Sequence, residues 1–123
     1  MSIGVDISAF AKKTKGSLDE TVRAIQLSLF SGVIRDTRVD TGRLRGNWQT
    51  SVGSPNTGTT DRLDPSGNAA ISDAASNNVS GKVVYLTNNL PYARVWEVQD
   101  GMVARNMARI QRIVEEAASR VRR

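Results

Sequence analysis

The sequence predicts a single α+β domain, and three observations predict it. An amphipathic helix pattern runs from Ser17 to about Asp36, a second follows Gly101, and short strand-like runs lie between them. A chain of 123 residues suits one domain that buries roughly two thirds of its unfolded surface. The domain spans 1–123, with residues 1–16 as an N-terminal segment and residues 53–78 as an inserted arm.

Within the N-terminal segment, residues 6–15 read as a short helix carrying Ile7, Phe10 and Ala11 on one side, interrupted by Gly16. Ser17-Leu18-Asp19-Glu20 then fits a capping box, in which the Ser17 hydroxyl accepts from the Glu20 amide and Glu20 reaches back. Leu18, Val22, Ile25, Leu29 and Val33 repeat at the spacing of one helical stripe. A second apolar row, Leu27, Phe30 and Ile34, lies beside it. Two readings stand: one wide face buried in the domain's own core, or one row for the core and one for a neighbouring subunit.

Asp40-Thr41-Gly42 is a turn, with the Asp40 carboxylate placed to accept from nearby amides and Gly42 tolerating positive φ. Trp48, Thr50 and Val52 alternate with Gln49, Ser51 and Gly53, which predicts a strand with one buried face and Trp48 in the core. Residues 53–78 hold only Leu63 and Ile71 as large apolar residues, beside three glycines and two prolines. A short helix within Pro65–Ser76 is expected, and the remainder reads as an arm that orders against a partner.

Gly81 to Thr87 predicts a strand, nearly continuous in apolarity at Val83-Val84-Tyr85-Leu86, so that both faces are covered. Leu90 before Pro91 is extended. Pro91 and Tyr92 set a bend, and Tyr92–Val98 reads either as a helical turn or as a third strand. In the final helix Val103, Met107, Ile110, Val114, Ala117 and Val121 form a narrow seam. Arg105, Arg109 and Arg112 fall on the opposite side, as a solvated face or as a face for a partner ring or DNA.

The chemistry is sparse. There is no cysteine and no histidine, so disulfides, thiolate metal sites and the commonest general base are excluded. No phosphate-binding glycine loop and no Ser-x-x-Lys spacing occurs. Asp61-Arg62-Leu63-Asp64 is at best a weak divalent-ion candidate. No catalytic, cofactor-binding or metal-binding residue is assigned. The start of the chain has neither a secretory signal pattern nor a run of membrane-span length, so a soluble cytoplasmic product is the expectation. Net charge is +5, with 13 Arg beside 4 Lys, and residues 101–123 carry six arginines against two glutamates. Such a basic end faces nucleic acid or an acidic protein surface, and arginine's planar fork suits either.

Two dense clusters remain. Thr37-Arg38-Val39-Asp40-Thr41-Gly42-Arg43-Leu44-Arg45-Gly46-Asn47-Trp48-Gln49 resembles a segment of the tail completion proteins of long-tailed bacteriophages, the lambda-type minor tail protein Z family. Tyr85-Leu86-Thr87-Asn88-Asn89-Leu90-Pro91-Tyr92-Ala93, with Glu97 and Gly101-Met102-Val103, is similar to that family's second signature. Asp40, Thr41, Gly42, Arg43, Arg45, Asn47, Trp48, Asn89, Pro91, Tyr92, Glu97 and Gly101 carry the likeness. It covers most of the chain and is weakest over 53–78. There are two departures. Arg38 stands where the pattern usually has proline, and Val98-Gln99-Asp100 replaces a longer run between the glutamate and Gly-Met-Val.

The resemblance implies helices packed on a short antiparallel sheet, and a virion protein at the neck that completes or terminates the tail tube. It further implies a homo-oligomeric ring, most often of six. Its neighbours would be the tail tube protein and head-side connector proteins, with genomic DNA passing through without sequence recognition, no cofactor and no membrane. Leu27, Phe30 and Ile34 are the candidate subunit interface. A head-side stopper or adaptor ring is the alternative within the virion. A small DNA-binding protein using Arg43, Arg45 and the C-terminal arginines is the alternative of another class, although six aromatic residues are few for a base-stacking platform.

Overall fold

The computed structural model describes residues 2–5, 19–79 and 81–121. In chain order these form β1 (Ser2–Val5), α1 (Asp19–Asp36), α2 (Arg43–Gly46), β2 (Gln49–Val52), α3 (Asn68–Ser76), β3 (Val84–Thr87), α4 (Ala93–Asp100) and α5 (Met102–Val121). The architecture is α+β. The expected helix over 6–15 and the Ser17 end of the capping box lie outside the described residues.

Among the described residues the strands make one antiparallel sheet in the order β1-β3-β2. Leu86 of β3 stands opposite Ile3 on one side and Thr50 on the other, and Val84 stands opposite Val5 and Val52. Leu86 and Val84 are fully buried against Trp48, Phe30, Val33, Ile34 and Met102. β3 is apolar because it is the central strand, flanked on both sides. β1 was not foreseen. Four residues are too few to display alternation, and its partner strand lies about eighty positions along the chain.

α1 packs against both α5 and α3. That double duty explains its two apolar rows. Ile25, Leu29 and Val33 are buried, and so are Phe30 (1% exposed) and Ile34 (0%), in the same core. The assignment of Phe30 and Ile34 to a subunit interface is therefore corrected: the chain's own α3 and sheet use the second row. Only Leu27 of that trio is partly open.

The seam of α5 also differs from expectation. Its buried line runs Met102, Asn106, Ile110, while Met107 is 47% exposed. Val103 and Val114 pack on the core only partly buried, so the contact face is rotated toward Met102 and Asn106. Tyr92–Val98 resolves as helix. The Ala93 amide donates to the Leu90 carbonyl (3.1 Å) and α4 follows, with Trp96 packed on Leu44, Leu90 and Ala93 in a second small cluster.

The inserted residues carry α3, whose Ala70 and Ala74 enter the main core. Residues 54–63 have no regular structure, yet they are tied to the domain. Gln49 Nε2 donates to the Gly58 carbonyl (2.8 Å), and Asn89 Nδ2 donates to the carbonyls of Asn56 and Gly58 (both 2.9 Å). The polar composition that suggested an arm waiting for a partner meets hydrogen-bonding groups on its own domain.

One polar chain crosses the core. Trp48 Nε1 donates to Thr37 Oγ1 at 2.8 Å, and that hydroxyl donates to the Val33 carbonyl at 2.7 Å. Both side chains are fully buried, so each proton needs its acceptor. Thr37→Val keeps the volume but leaves the indole N–H without a partner, which costs about 1–3 kcal/mol. Thr37→Ser loses a methyl, worth roughly 0.8 kcal/mol. Urea unfolding followed by tryptophan fluorescence should therefore rank wild type above Thr37→Ser, and Thr37→Ser above Thr37→Val.

Candidate functional site at the junction of the two sequence clusters

The first cluster is built around the C-terminal end of α1. The last carbonyls of a helix lack partners within the helix. Here the guanidinium of Arg45, projecting from α2, supplies them. Nε and Nη2 donate to the Thr37 carbonyl (3.2 and 2.7 Å), Nη2 also donates to Arg35 (2.8 Å), and Nη1 donates to Pro65 (2.6 Å). One side chain thus fastens α1, α2 and the inserted segment together.

The turn into α2 rests on Gly42, not on Asp40. Gly42 has φ +91°, and a Cβ there would lie 2.6 Å from the Pro65 nitrogen. Its carbonyl accepts from the amides of Gly46 (2.9 Å) and Asp64 (3.0 Å). The Thr41 hydroxyl accepts from the Arg43 amide at 3.3 Å. Asp40 is exposed, and among the described residues no hydrogen bond engages its carboxylate. The expectation that Asp40 accepts from the turn's amides is corrected, because the neighbouring hydroxyl is the shorter reach. Arg43 is an exposed residue 3.8 Å from the fully exposed Asp61, a separation worth little in water.

Asn47 is buried and acts as a two-sided staple. Nδ2 donates to the carbonyls of Arg43 (2.8 Å) and Thr60 (2.9 Å), and Oδ1 accepts from the Thr60 amide (2.9 Å). Arg62 and Asp64 extend it, and sequence reasoning missed both roles. Arg62 donates to the carbonyls of Gly46 (3.0 Å) and Trp48 (3.2 Å) and pairs with Asp73 at 2.7 Å. The buried Asp64 carboxylate accepts from the amides of Ala69 (3.3 Å) and Ala70 (2.9 Å), so it caps the start of α3. The divalent-ion candidate is corrected accordingly: Asp64 is committed to a helix start and Arg62 to backbone. The signal was legible in principle, since an Asp a few residues ahead of an alanine-rich run is a capping pattern.

The second cluster closes on the first. Asn88 Nδ2 donates to the Leu44 carbonyl at 2.8 Å, and its Oδ1 accepts from the Leu90 amide at 3.2 Å. Asn89 reaches the inserted segment, as described above. Pro91 and Tyr92 are exposed and lead into α4. At the far end of α4, Gly101 adopts φ +64° and its amide donates to the Glu97 carbonyl at 2.8 Å. The Glu97 carboxylate then accepts from the amides of Val103 (2.7 Å) and Ala104 (3.1 Å), placing negative charge on the exposed N–H groups at the start of α5.

Arg38 and the Val98-Gln99-Asp100 run meet here. Arg38 Nε and Nη2 donate to the two carboxylate oxygens of Asp100 at 3.2 and 3.1 Å. The guanidinium carbon also lies 3.9 Å from the centre of the Trp96 ring. The hydrogen bond from Arg38 holds the Asp100 carboxyl below its ordinary value, and the same bond raises Arg38 further above the range in which it would lose its proton.

The arginine stripe of α5 is divided. Arg109 lines a groove of about 650 Å³ between α1 and α5, together with Leu27, Ser28, Arg35, Asp36 and Asn106. Its Nη1 donates to Ser28 Oγ (3.1 Å), and its Nη2 to the Ser28 carbonyl (3.0 Å) and Asn106 Oδ1 (3.1 Å). Arg105 and Arg112 are exposed. The face read as a single cationic row therefore offers two cations with one tied back.

Compared with known proteins, the chain matches no family model, no curated protein and no solved structure.

Two outcomes follow. Gly42→Ala combines a strained φ with a backbone clash and should cost more than about 1–3 kcal/mol, while Asp40→Ala stays within roughly 0.5 kcal/mol, as judged by denaturant midpoints. Asp100 contributes stability that is present above the ordinary carboxylate value, near 3.9, and is lost as pH falls through its lower folded value. Thermal melts from pH 7 to pH 2 should show wild type above Asp100→Asn at neutrality, with the gap closing in acid. A gap that does not narrow at all as pH falls contradicts the pairing.

Proposed function

We propose that this chain is a structural subunit of the neck of a long-tailed bacteriophage. In this reading it completes or terminates the tail tube as a homo-oligomeric ring and takes part in head–tail joining. It acts without catalysis and without a cofactor. Six copies are the first expectation, with the tail tube protein on one side, head-side connectors on the other, and DNA passing through the centre without sequence readout.

The observation that carries the reading is the meeting of the two clusters. The residues that resemble the tail-completion signatures lie far apart in sequence and form one interlocked junction through Asn88, Leu44, Leu90 and Trp96. The two places that depart from the pattern contact each other through Arg38 and Asp100. An α+β domain with helices on a short antiparallel sheet suits the reading as well.

The DNA-binding alternative is less well supported. Arg45 and Arg62 spend their guanidinium groups on the chain's own carbonyls, and Arg109 is tied to α1. The first cluster then leaves little free cation beside Trp48, which is itself fully buried.

Native mass spectrometry with negative-stain imaging tests the proposal. The expected result is a closed ring with a central hole, and only feeble binding to free duplex DNA. A monomer at every concentration, or a tight DNA complex whose affinity falls steeply on a log–log salt plot, overturns it.

A further inference from the structure

The groove of about 650 Å³ between α1 and α5 is walled by described residues, from Ala24 to Asp36 on α1 and by Asn106 and Arg109 on α5. At the rise of an α-helix the α1 wall is roughly 18 Å long. Its charge is cationic. Two guanidinium groups, Arg35 and Arg109, face one carboxylate, Asp36, which already accepts from Asn106 Nδ2 at 2.8 Å. Arg35 is exposed, and among the described residues no hydrogen bond or ion pair engages its guanidinium. Gly32 forms the floor. A Cβ there would collide with Asn106 Oδ1 and Arg109 Nη2, so the bare backbone lets those two side chains lie against α1. Ser31 beside it is only 9% exposed and lines the groove, and its hydroxyl meets no partner among the described residues. One turn before Ser31, Leu27 is partly open.

The chain carries a segment of complementary chemistry elsewhere. The Asp61 side chain is fully exposed, and its pairing with Arg43 at 3.8 Å is worth little in water. Leu63 is 61% exposed. Between them Arg62 is turned inward, bound to the carbonyls of Gly46 and Trp48 and to Asp73. The backbone carrying the carboxylate and the leucine is thus held before any partner arrives, which lowers the ordering cost of binding.

Resting on the ring reading above, we infer that the α1–α5 groove of one copy receives Asp61 and Leu63 of the next. The spacing agrees. Leu27 and Ser31 are four residues apart on a helix, about 6 Å. Residues two apart in an extended chain are separated by nearly the same distance, roughly 6.6 Å. Leu63 of the partner subunit covers Leu27, while Asp61 of the partner subunit accepts from the Ser31 hydroxyl and pairs with Arg35. The groove lies on the α5 flank of α1, whereas the segment is held on β2 and α3, so the contact joins separate copies. Each copy gives one segment and receives one, a heterologous contact that closes into a ring when repeated about an axis.

Charge reversal tests the pairing by native mass spectrometry. Arg35→Glu and Asp61→Lys alter exposed side chains, so each should keep the wild-type circular dichroism and melting point. Each alone should raise the protein concentration at which half the chain is assembled by about tenfold or more, and the two together should restore it. Single variants that assemble like wild type, or a double variant that fails to recover, overturn the groove assignment and leave the ring reading intact. A cross-link gives an independent readout, because the chain has no cysteine of its own. Leu27→Cys combined with Leu63→Cys should yield a ladder of disulfide-linked copies under a mild oxidant. A double-cysteine chain that assembles but stays uncross-linked overturns the assignment as well. A wild-type chain that is monomeric throughout overturns both the assignment and the ring.

Discussion

The termination of α1 is the constraint on which the rest of this domain depends. A helix that ends inside a small protein presents unpaired carbonyls, and burying them unsatisfied is expensive. Arg45 binds those of Arg35 and Thr37, while the Thr37 hydroxyl links the Val33 carbonyl to the Trp48 indole. The direction of the chain leaving α1, the position of α2 and the depth of Trp48 are set together. The same guanidinium holds Pro65, so the inserted segment is located by the group that ends the helix. Once this corner is fixed, β2 can only emerge beside β3.

Much of this was legible in the sequence. The two long helices announce themselves through apolar stripes, and the observed bounds of α1 and α5 fall within a few residues of the expected ones. Trp48 reads as core and is core. What periodicity did not resolve is who covers an apolar row. Phe30 and Ile34 look surplus to a small helix only when α3, hidden in a glycine- and proline-bearing stretch, is not counted as a packing partner. Periodicity also overlooks β1, since a strand of four residues is defined by its partner rather than by its own pattern. The arginines illustrate the same limit. Composition reports their charge, but their work as carbonyl binders at Arg45 and Arg62 depends on where distant backbone arrives.

The candidate site was legible as residues and opaque as geometry. Asp40 drew attention because aspartate before a glycine usually organises a turn, yet Thr41 accepts the bond and Gly42 carries the backbone demand. Arg38 and the short Val98-Gln99-Asp100 run looked like two unrelated departures from a pattern. In space they are one feature: a planar cation clamped by a carboxylate and laid on an indole. A proline at that position would stiffen the chain by ring closure. The arginine instead fixes the chain by contact with Asp100 and Trp96.

The elbow at Gly101 has a mechanical consequence. Glu97 reaches across the bend to bind the first amides of α5, so the short helix and the long one cannot swivel independently. α5 spans about 30 Å at the rise of an α-helix, and a tilt of about ten degrees at its base would sweep its tip by roughly 5 Å. The domain therefore contains a stiff pointer with a carboxylate latch at its pivot. Because Arg109 also fastens α5 to α1 through Ser28, the latch ties α4 to that packed pair of helices.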